Sequence, residues 1–356
     1  MLYTRRDIGK IAVAAGAVSR LMAAKPNSIF GGVQIGVITY TYRQLPGSND
    51  AKQVLQYVLD SNINAIELMG PVAENFAGAP SVGRGGFGGG QRGGPGGAGV
   101  SGAPTRSGTQ AGATGRAGPG GAPGGRGRGG RAPLTPEQQA AQQKAAEDLK
   151  KWRLSVSMDK YKEFRKMYND AGVSIYAYKL EPRPDMSDEE YDYIFNVAQA
   201  LGANHVTLEL SNDEAFLKRI GDFAAKRHML VAYHAHTQAT LTAWDQALEL
   251  SKGNAINLDC GHYFAGAGES PIPLILKHHD RIASMHLKDR RKQGTPGGDN
   301  LPWGKGDTPL KEILQTMKKN KYKFPASIEY EYNTPEGSDV LTEVKKCVQF
   351  CKDALA

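Results

Sequence analysis

The feature that most restricts the fold of this chain is a regular alternation of two kinds of segment along its 356 residues. Short apolar runs, rich in β-branched and aromatic residues, alternate with longer stretches in which apolar residues recur at helical spacing. The apolar runs cover residues 33–40, 64–69, 173–180, 204–210, 229–234, 255–259, 282–287 and 325–331. The helical stretches cover residues 49–61, 136–170, 187–202, 212–227, 238–252, 270–279, 308–320 and 338–354. Eight strands alternating with eight helices predict an α/β protein with a (β/α)8 TIM barrel.

An open, doubly wound sheet is the main alternative for such an alternation. That architecture commonly carries a glycine-rich dinucleotide-binding turn directly after its first strand. The segment after residue 40 contains no such turn. The barrel is therefore the preferred fold, and it is expected to occupy residues 25–356.

Residues 77–132 interrupt the alternation between the second apolar run and the helical stretch that begins at residue 136. Glycine, alanine, proline, arginine and serine dominate this segment, and Phe87 is its single aromatic residue. Such a composition buries too little apolar surface to offset the entropy of the chain, which predicts a disordered Gly/Arg-rich insertion after strand two. Its arginine–glycine runs resemble RNA-binding segments, but nucleic acid is not the expected partner because aromatic residues for stacking are scarce.

The net charge of +8 does not describe the predicted barrel. Residues 1–25 carry +4 and residues 75–136 carry +7, which leaves −3 for the rest of the chain. A mildly acidic body with two basic appendages gives no support for a basic binding face on the barrel.

The N-terminal residues have the pattern of an export signal. Residues 4–10 read TRRDIGK, and a short, weakly apolar run follows before Lys25. Twin arginines before such a run predict a twin-arginine signal peptide over residues 1–24, cleaved after Ala24. The apolar run is too short to span a bilayer. The mature chain is therefore expected to be periplasmic or secreted, without a stable membrane anchor.

Acidic and histidine side chains stand at the ends of most of the predicted strands. They are Glu67, Glu209, His234 with His236, Asp259 with His262 three residues later, His286, and Glu329 with Glu331. The carboxyl ends of barrel strands converge on one mouth, where active sites lie. Carboxylates and imidazoles gathered there predict a site for one divalent metal ion, such as Mn²⁺, Co²⁺, Mg²⁺ or Zn²⁺.

Several stretches resemble the xylose-isomerase-like TIM barrels, which include sugar isomerases, ketose 3-epimerases, inosose dehydratases and endonuclease IV. The matching stretches are YHAH (233–236), LDCGHYFAGAG (258–268), RIASMHLKDRR (281–291), WGKGD (303–307) and the IE of SIEYEY (327–332). They cover most of the second half in the family's order. The first half matches only through VQIGVITYTYR (33–43) and NAIEL (64–68).

The resemblance implies that Asp259, His286 and Glu329 are three of the four ligands of the metal ion. In the related ketose epimerases the fourth ligand is a glutamate on the fifth strand, where this chain has His234. Glu209 on the fourth strand is the predicted fourth ligand, and His234 is the alternative. The missing glutamate puts the two-glutamate epimerase mechanism in doubt.

Endonuclease IV is a separate hypothesis, because LDCGHYFAGAG resembles its Asp-x-x-His segment. A three-zinc site of that kind needs further histidines, including one in an Asp-x-His segment after HLKD. Here the corresponding segment is Asp299-Asn300-Leu301, which has no histidine. DNA repair is therefore not the expected function.

The resemblance and the residue types together imply proton abstraction α to a carbonyl, through a metal-bound enediolate. The predicted acid–base residues are His234, His236 and Glu329, and the predicted substrate-binding residues are Lys288, Arg290, Trp303 and His262. The leading hypothesis is a metal-dependent sugar isomerase or epimerase acting on a small-molecule sugar or keto-sugar.

Two other functions remain open at this stage. One is a lyase or hydratase that acts on 3-keto-glycosides or inosose-like substrates with the same metal site. The other is a non-catalytic carbohydrate-binding barrel. A free rather than phosphorylated sugar is expected for an exported enzyme, and a homo-oligomer is compatible with the sequence.

Overall fold

The computed structural model describes residues 25–80, 135–295 and 299–356. The chain divides into two compact units, residues 1–79 with 151–356 and residues 80–150. The first unit holds a barrel, and the described residues of the second form most of one helix, Pro136–Arg153. The predicted signal peptide at 1–24 lies outside the described residues, and so does most of the predicted insertion at 77–132.

The first unit is built on a closed parallel barrel. The strands in chain order are β1 (Ile29–Phe30), β2 (Val33–Ile38), β3 (Ala65–Met69), β4 (Ser174–Lys179), β5 (His205–Glu209), β6 (Leu230–His234), β7 (Asn254–Asp259), β8 (Ile282–Leu287), β9 (Asp289–Arg290), β10 (Asn300–Leu301) and β11 (Ala326–Ile328). Strands β2 to β8 pair in sequence, and β11 closes the ring by pairing with both β8 and β2. Each predicted apolar run overlaps one of these eight strands, which confirms the (β/α)8 barrel. Strand β1 pairs antiparallel with β2, and β9 pairs antiparallel with β10.

Helices follow the barrel strands. In chain order they are α1 (Ala51–Asp60), α2 (Gly70–Ala77), α3 (Pro136–Arg153), α4 (Asp159–Asp170), α5 (Asp188–Leu201), α6 (Glu214–Lys226), α7 (Asp245–Leu250), α8 (Cys260–Ala267), α9 (Ile272–His278), α10 (Leu310–Asn320) and α11 (Val340–Ala354). None of the helices in the described part of the chain has both the length and the apolar character that crossing a membrane requires.

Two predicted helices differ from the observed ones. The stretch at 136–170 forms two helices, α3 and α4, rather than one. Between them the Ser155 hydroxyl donates to the Trp152 carbonyl at 3.2 Å, and the Ser157 hydroxyl accepts from the Asp159 amide at 3.2 Å. The Ser157 contact engages a backbone amide that a continuous helix would bond within itself. The stretch predicted at 238–252 is helical only over α7, because the chain before it forms turns at residues 237–238 and 241–244.

Helix α8 begins directly at the end of β7 and was not predicted. Asp259 is its N-cap, and Asp259 Oδ1 accepts a hydrogen bond from the His262 amide at 2.7 Å. Gly261 lies so close to the chain after β8 that a Cβ atom would stand 2.5 Å from the Lys288 carbonyl oxygen. Glycine is therefore required in the first turn of α8, which brings this helix end against the strand carrying His286.

The interior of the barrel is polar. Successive residues of a strand point to opposite faces, and polar residues alternate with apolar residues of the hydrophobic core along β5 and β8. The buried polar residues on or directly after the barrel strands include Glu67, His205, Thr207, Asn257, Asp259, Ser284, His286, Ser327 and Glu329. The polar residues line the barrel and lead to its carboxyl-terminal mouth, while the apolar ones pack against the helices.

Candidate active site

Four buried side chains at the mouth of the barrel each have one polar atom without a hydrogen-bond partner among the described residues. The atoms are His234 Nε2, Asp259 Oδ2, His286 Nδ1 and Glu329 Oε2, and each residue is at most 3% exposed. His234, Asp259 and His286 offer ligand atoms within 4.8 Å of one another, and Glu329 Oε2 lies 2.7 Å from His286 Nδ1. Buried polar atoms normally have partners, so this four-ligand cluster has the donor set and the unfilled atoms that suit a divalent cation.

Glu67 orients the His286 ring. The Nε2 atom of His286 lies 2.8 Å from Glu67 Oε2, so Nε2–H donates to the carboxylate and Nδ1 is left to face the four-ligand cluster. Burial opposes a charge on this ring, but the Glu67 and Glu329 carboxylates raise the pKa of His286 to about 10. Burial would likewise raise the pKa of Glu67, but the His286 ring lowers it to about 2. Metal ligation needs the unprotonated Nδ1, so cation binding would release a proton.

Asn257 orients the His234 ring. The Asn257 amide nitrogen donates to Ser284 Oγ at 2.8 Å and to Glu67 Oε2 at 3.3 Å. Its Oδ1 atom therefore faces His234 Nδ1, at 3.0 Å, and accepts the proton of that nitrogen. Nε2 of His234 is left with a lone pair, which can bind a metal ion or accept a proton. Burial lowers the pKa of His234, so the ring is held neutral.

A second histidine group, His234, His236 and His262, also brings ring nitrogens within 4.8 Å of one another. Arg290 Nη1 lies 2.6 Å from His262 Nδ1, and an arginine can only donate. Neutral His262 therefore carries its proton on Nε2, which makes that atom a hydrogen-bond donor rather than a ligand. The centroids of the His236 and His262 rings lie 4.5 Å apart.

Lys288 lies among the carboxylates of the mouth and is 2% exposed. Its Nζ atom donates to Glu331 Oε2 at 2.7 Å and lies 2.9 Å from Asp259 Oδ2 and 3.0 Å from Glu329 Oε2. The contacts with Asp259 and Glu329 are ion pairs without hydrogen-bond geometry, so Asp259 Oδ2 and Glu329 Oε2 accept no hydrogen bond. Burial opposes its charge, but the three carboxylates raise the pKa of Lys288 above its ordinary value and keep it cationic.

Glu209 faces a different set of groups. Its Oε1 atom lies 3.3 Å from Lys179 Nζ, and its Oε2 atom lies 3.9 Å from His236 Nδ1. Lys179 also lies 3.4 Å from Glu181. The structure thus places Glu209 at the mouth, but His234 rather than Glu209 belongs to the compact group with Asp259 and His286.

Trp303 lies in the loop after β10, and its ring packs edge-on against Phe350 of α11 at 5.6 Å between centroids. Asp289 anchors this loop by accepting the amides of Gly304 at 2.8 Å and Gly306 at 2.9 Å. A substrate-stacking role for Trp303 stays a prediction, because the described ring contact is with helix α11.

Sequence reasoning identified Glu67 only as a strand-end acid and overlooked Lys179. It also overlooked the polar residues inside the barrel that contact the site, namely Thr207, Asn257 and Ser284. Alternation was the available signal. In HVTLE, SMHLK and NLD the polar residues occupy every second position, which assigns them to one face of the strand.

The chain matches the family model described as "Xylose isomerase-like TIM barrel" over residues 139–348, more than half of its length. It is 26% identical to the inosose dehydratase of Clostridium botulinum over 156 residues, which cover 38% of this chain and 52% of that relative. It is 35% identical to the inosose dehydratase of Geobacillus thermodenitrificans over 80 residues, which cover 21% of this chain and 26% of that relative. The chain spans about half the length of the first of these relatives.

Two solved structures have a similar fold. One is the sugar phosphate isomerase/epimerase of Parabacteroides distasonis, with a TM-score of 0.53, 14% identity, and coverage of 91% of this chain and 96% of that one. The other is the probable 3-DHS dehydratase of Bacillus anthracis, with a TM-score of 0.54, 13% identity, and coverage of 89% and 99%. The barrel, the strand-end residues and the family match agree: the chain belongs to the xylose isomerase-like TIM barrel family.

Proposed function

We propose that this chain is a divalent-metal-dependent lyase that removes water from a neutral sugar or polyol ketone after abstracting the proton α to the carbonyl. The observation that carries the proposal is the pair of imidazoles beside the four-ligand cluster. The centroids of the His236 and His262 rings lie 4.5 Å apart, and Arg290 holds His262 as a hydrogen-bond donor. Two acid–base groups next to each other can act on the same face of a substrate, which suits a syn elimination.

His234, Asp259, His286 and Glu329 are the proposed ligands. His234 takes the position predicted for Glu209, because its bare Nε2 atom belongs to the compact group while Glu209 faces Lys179. A Mn²⁺, Co²⁺, Mg²⁺ or Zn²⁺ ion held there would act as a Lewis acid on the substrate carbonyl. Glu329, predicted also as a base, acts in this proposal as a ligand.

His236 is the proposed base. Its ring is half-buried at the mouth, and Glu209 Oε2 lies 3.9 Å from its Nδ1 atom. The C–H bond α to the carbonyl breaks, and His236 takes the proton. The C–O bond to the β-hydroxyl then breaks as the carbon–carbon double bond forms, and His236 returns the proton to the departing oxygen as water. His262 Nε2–H orients that oxygen by donating a hydrogen bond.

The charges at the mouth favour an uncharged substrate. Lys288 is matched by Asp259, Glu329 and Glu331, and Lys179 is matched by Glu209 and Glu181. Both lysines therefore already have anionic partners, which a phosphate group would have to displace. Hydroxyl groups can share these hydrogen bonds without displacing a charge.

The names of the inosose dehydratase relatives support dehydration of a polyol ketone as the reaction. Isomerisation is the second candidate, because His236 could exchange the abstracted proton with solvent and protonate the neighbouring carbon instead of the hydroxyl. Epimerisation has less support, since it needs an acid–base group on the opposite face of the substrate.

The test is a panel of inosose-like ketones, 3-keto-glycosides and free ketoses, incubated with metal-loaded enzyme in deuterated water and followed by mass spectrometry. The expected result is loss of one water, slowed about 10²–10⁴-fold in His236→Gln. His279→Gln, at an exposed histidine, is the matched control and keeps full activity. Uptake of one deuterium without loss of water would instead indicate proton return to carbon, as in isomerisation or epimerisation, and would refute the lyase. Neither change on any substrate would refute both reactions and leave a carbohydrate-binding barrel.

A further inference from the structure

Glu67 is a fully buried carboxylate that directly contacts one of the proposed metal ligands. It lies on β3 inside the barrel and accepts hydrogen bonds from three side chains. His286 Nε2 lies 2.8 Å and Asn257 Nδ2 3.3 Å from its Oε2 atom, and Thr207 Oγ1 lies 2.6 Å from its Oε1 atom. A group that only accepts can serve three donors at once, and an amide in its place could not.

The first consequence concerns His286. A neutral imidazole has one N–H and one lone pair, and the hydrogen bond to Glu67 places the N–H on Nε2. In the neutral ring that binds a cation, the lone pair is then on Nδ1, which faces the four-ligand cluster and lies 2.7 Å from Glu329 Oε2. Without an acceptor beside Nε2, the tautomer with its proton on Nδ1 would also form, and that tautomer cannot bind a cation through Nδ1.

The second consequence reaches His234 through Asn257. Glu67 and Ser284 both accept from the Asn257 amide nitrogen, so the amide oxygen must face His234 Nδ1. If the amide turned over, its nitrogen would face His234 and its oxygen would face the Glu67 carboxylate. That arrangement is repulsive, so Glu67 selects the amide orientation that leaves the lone pair of His234 on Nε2.

We propose that Glu67 is the positioning residue that sets the tautomers of both ligand histidines, directly for His286 and through Asn257 for His234. Hydrogen-bond partners of metal-binding histidines fix the ring orientation and the nitrogen that is free to bind. Because one carboxylate acts on both rings from within the barrel, the tautomers of His234 and His286 would be set together. The inference rests on the proposed metal site.

The test uses Co²⁺ as the probe, because its visible absorption reports both binding and coordination. The dissociation constant is measured by competition with a chelator for the parent, Glu67→Gln and Asn257→Leu. The expected result is an affinity about 10- to 100-fold weaker in Glu67→Gln, with an altered absorption spectrum. Asn257→Leu removes only the contact that orients His234, so its Co²⁺ affinity is expected to fall by less. The double variant resembles Glu67→Gln alone, because both residues act through one network.

The matched control is Glu74→Gln, which removes another buried carboxylate, on helix α2. It is expected to lower the thermal unfolding temperature and to leave the Co²⁺ dissociation constant and spectrum unchanged. If Glu67→Gln and Asn257→Leu both bind Co²⁺ as the parent does, the positioning role is refuted while the proposed function stands. If the parent itself binds no Co²⁺, the proposed function and this inference fall together.

Discussion

Asp259 is the last residue of barrel strand β7, and Asp289 follows the end of barrel strand β8. Both are at most 2% exposed, yet their surroundings differ. Both oxygens of Asp289 are filled by backbone amides of its loop, those of Gly304, Gly306 and Thr308. Asp259 uses Oδ1 to cap helix α8 and leaves Oδ2 without a hydrogen bond. A carboxylate whose two oxygens both accept hydrogen bonds holds a loop together. A carboxylate with one oxygen that has no hydrogen bond, at a polar mouth, is available to bind a metal ion.

The same contrast separates the buried histidines of the barrel. His205 lies at the start of β5, and both of its nitrogens have partners, Asn204 Oδ1 at 2.5 Å and Ser284 Oγ at 2.9 Å. His234 and His286 each have one hydrogen-bonded nitrogen. The other nitrogen has no hydrogen bond and faces the four-ligand cluster, where His286 Nδ1 lies 2.7 Å from Glu329 Oε2. Residue type and burial are alike in the three cases, so the unfilled atom distinguishes the proposed ligands from a structural histidine.

The largest expected effect comes from Asp259→Asn. Asparagine preserves the shape and the helix cap but removes the charge and one ligand oxygen. We expect the bound metal to be lost and kcat/KM to fall by at least about 10³-fold, since metal polarisation of the carbonyl is lost. Metal content by atomic absorption and steady-state rates measure the two effects. Full metal content in this variant would show that Asp259 is only a cap.

Arg153→Met tests Glu74, a carboxylate outside the mouth whose two oxygens both accept hydrogen bonds. Arg153 binds both oxygens of the buried Glu74, at 2.7 and 3.0 Å, and Tyr193 donates to Glu74 as well. Removing the cation leaves a buried charge without its partner, which costs about 3–5 kcal/mol of unfolding free energy. We expect urea unfolding to show this loss while metal content stays at the parent value. A loss of metal in this variant would contradict the independence of the Glu74–Arg153 ion pair from the mouth of the barrel.

His205 gives an expected pH dependence of stability. Burial lowers the pKa of His205 to about 4, below the value of about 6.5 in an unfolded chain. The unfolded state therefore binds more protons between these values, and the free energy of unfolding falls as the pH drops from about 6.5 to about 4. The full shift corresponds to about 3 kcal/mol. In His205→Asn the curve is expected to lose this slope, and identical slopes in urea unfolding would refute a neutral, buried His205.

Asp289→Asn is the matched control for Asp259→Asn and has the smallest expected effect. The asparagine amide nitrogen would face a backbone donor, so one hydrogen bond of the loop is lost, at about 1–3 kcal/mol. We expect lower thermal stability with unchanged metal content and a kcat close to that of the parent. Loss of the metal would show that hydrogen bonding at both carboxylate oxygens does not distinguish a structural aspartate from a metal ligand.

The barrel could be predicted from the sequence because strands buried on both faces form short apolar runs that stand out between helical stretches. The segment CGHYFAGAG was harder to assign, since three of its nine residues are glycine and helix propensity gives no sign of α8. This helix forms because Asp259 caps it locally and because Gly261 fits against Lys288, which lies in a distant part of the chain.

The strand-end residues at the mouth were also predicted, but the sequence favoured Glu209 over His234 as the fourth ligand, whereas the structure groups His234 with Asp259 and His286. That choice depends on which neighbours fill each atom, and the neighbours Lys179 and Asn257 come from other strands. The role of Glu67 depends in the same way on a contact with His286, which lies 219 residues further along the chain. Spacing along the sequence carries no information of this kind.

The most direct measurement is a crystal structure of the metal-loaded protein with diffraction data on both sides of the absorption edge of the metal. The proposed ligand set requires one anomalous peak bound by His234 Nε2, Asp259 Oδ2, His286 Nδ1 and Glu329. A peak with Glu209 in place of His234 would overturn the fourth ligand and the role given to Asn257. No peak at the mouth of the barrel would contradict the metal site itself.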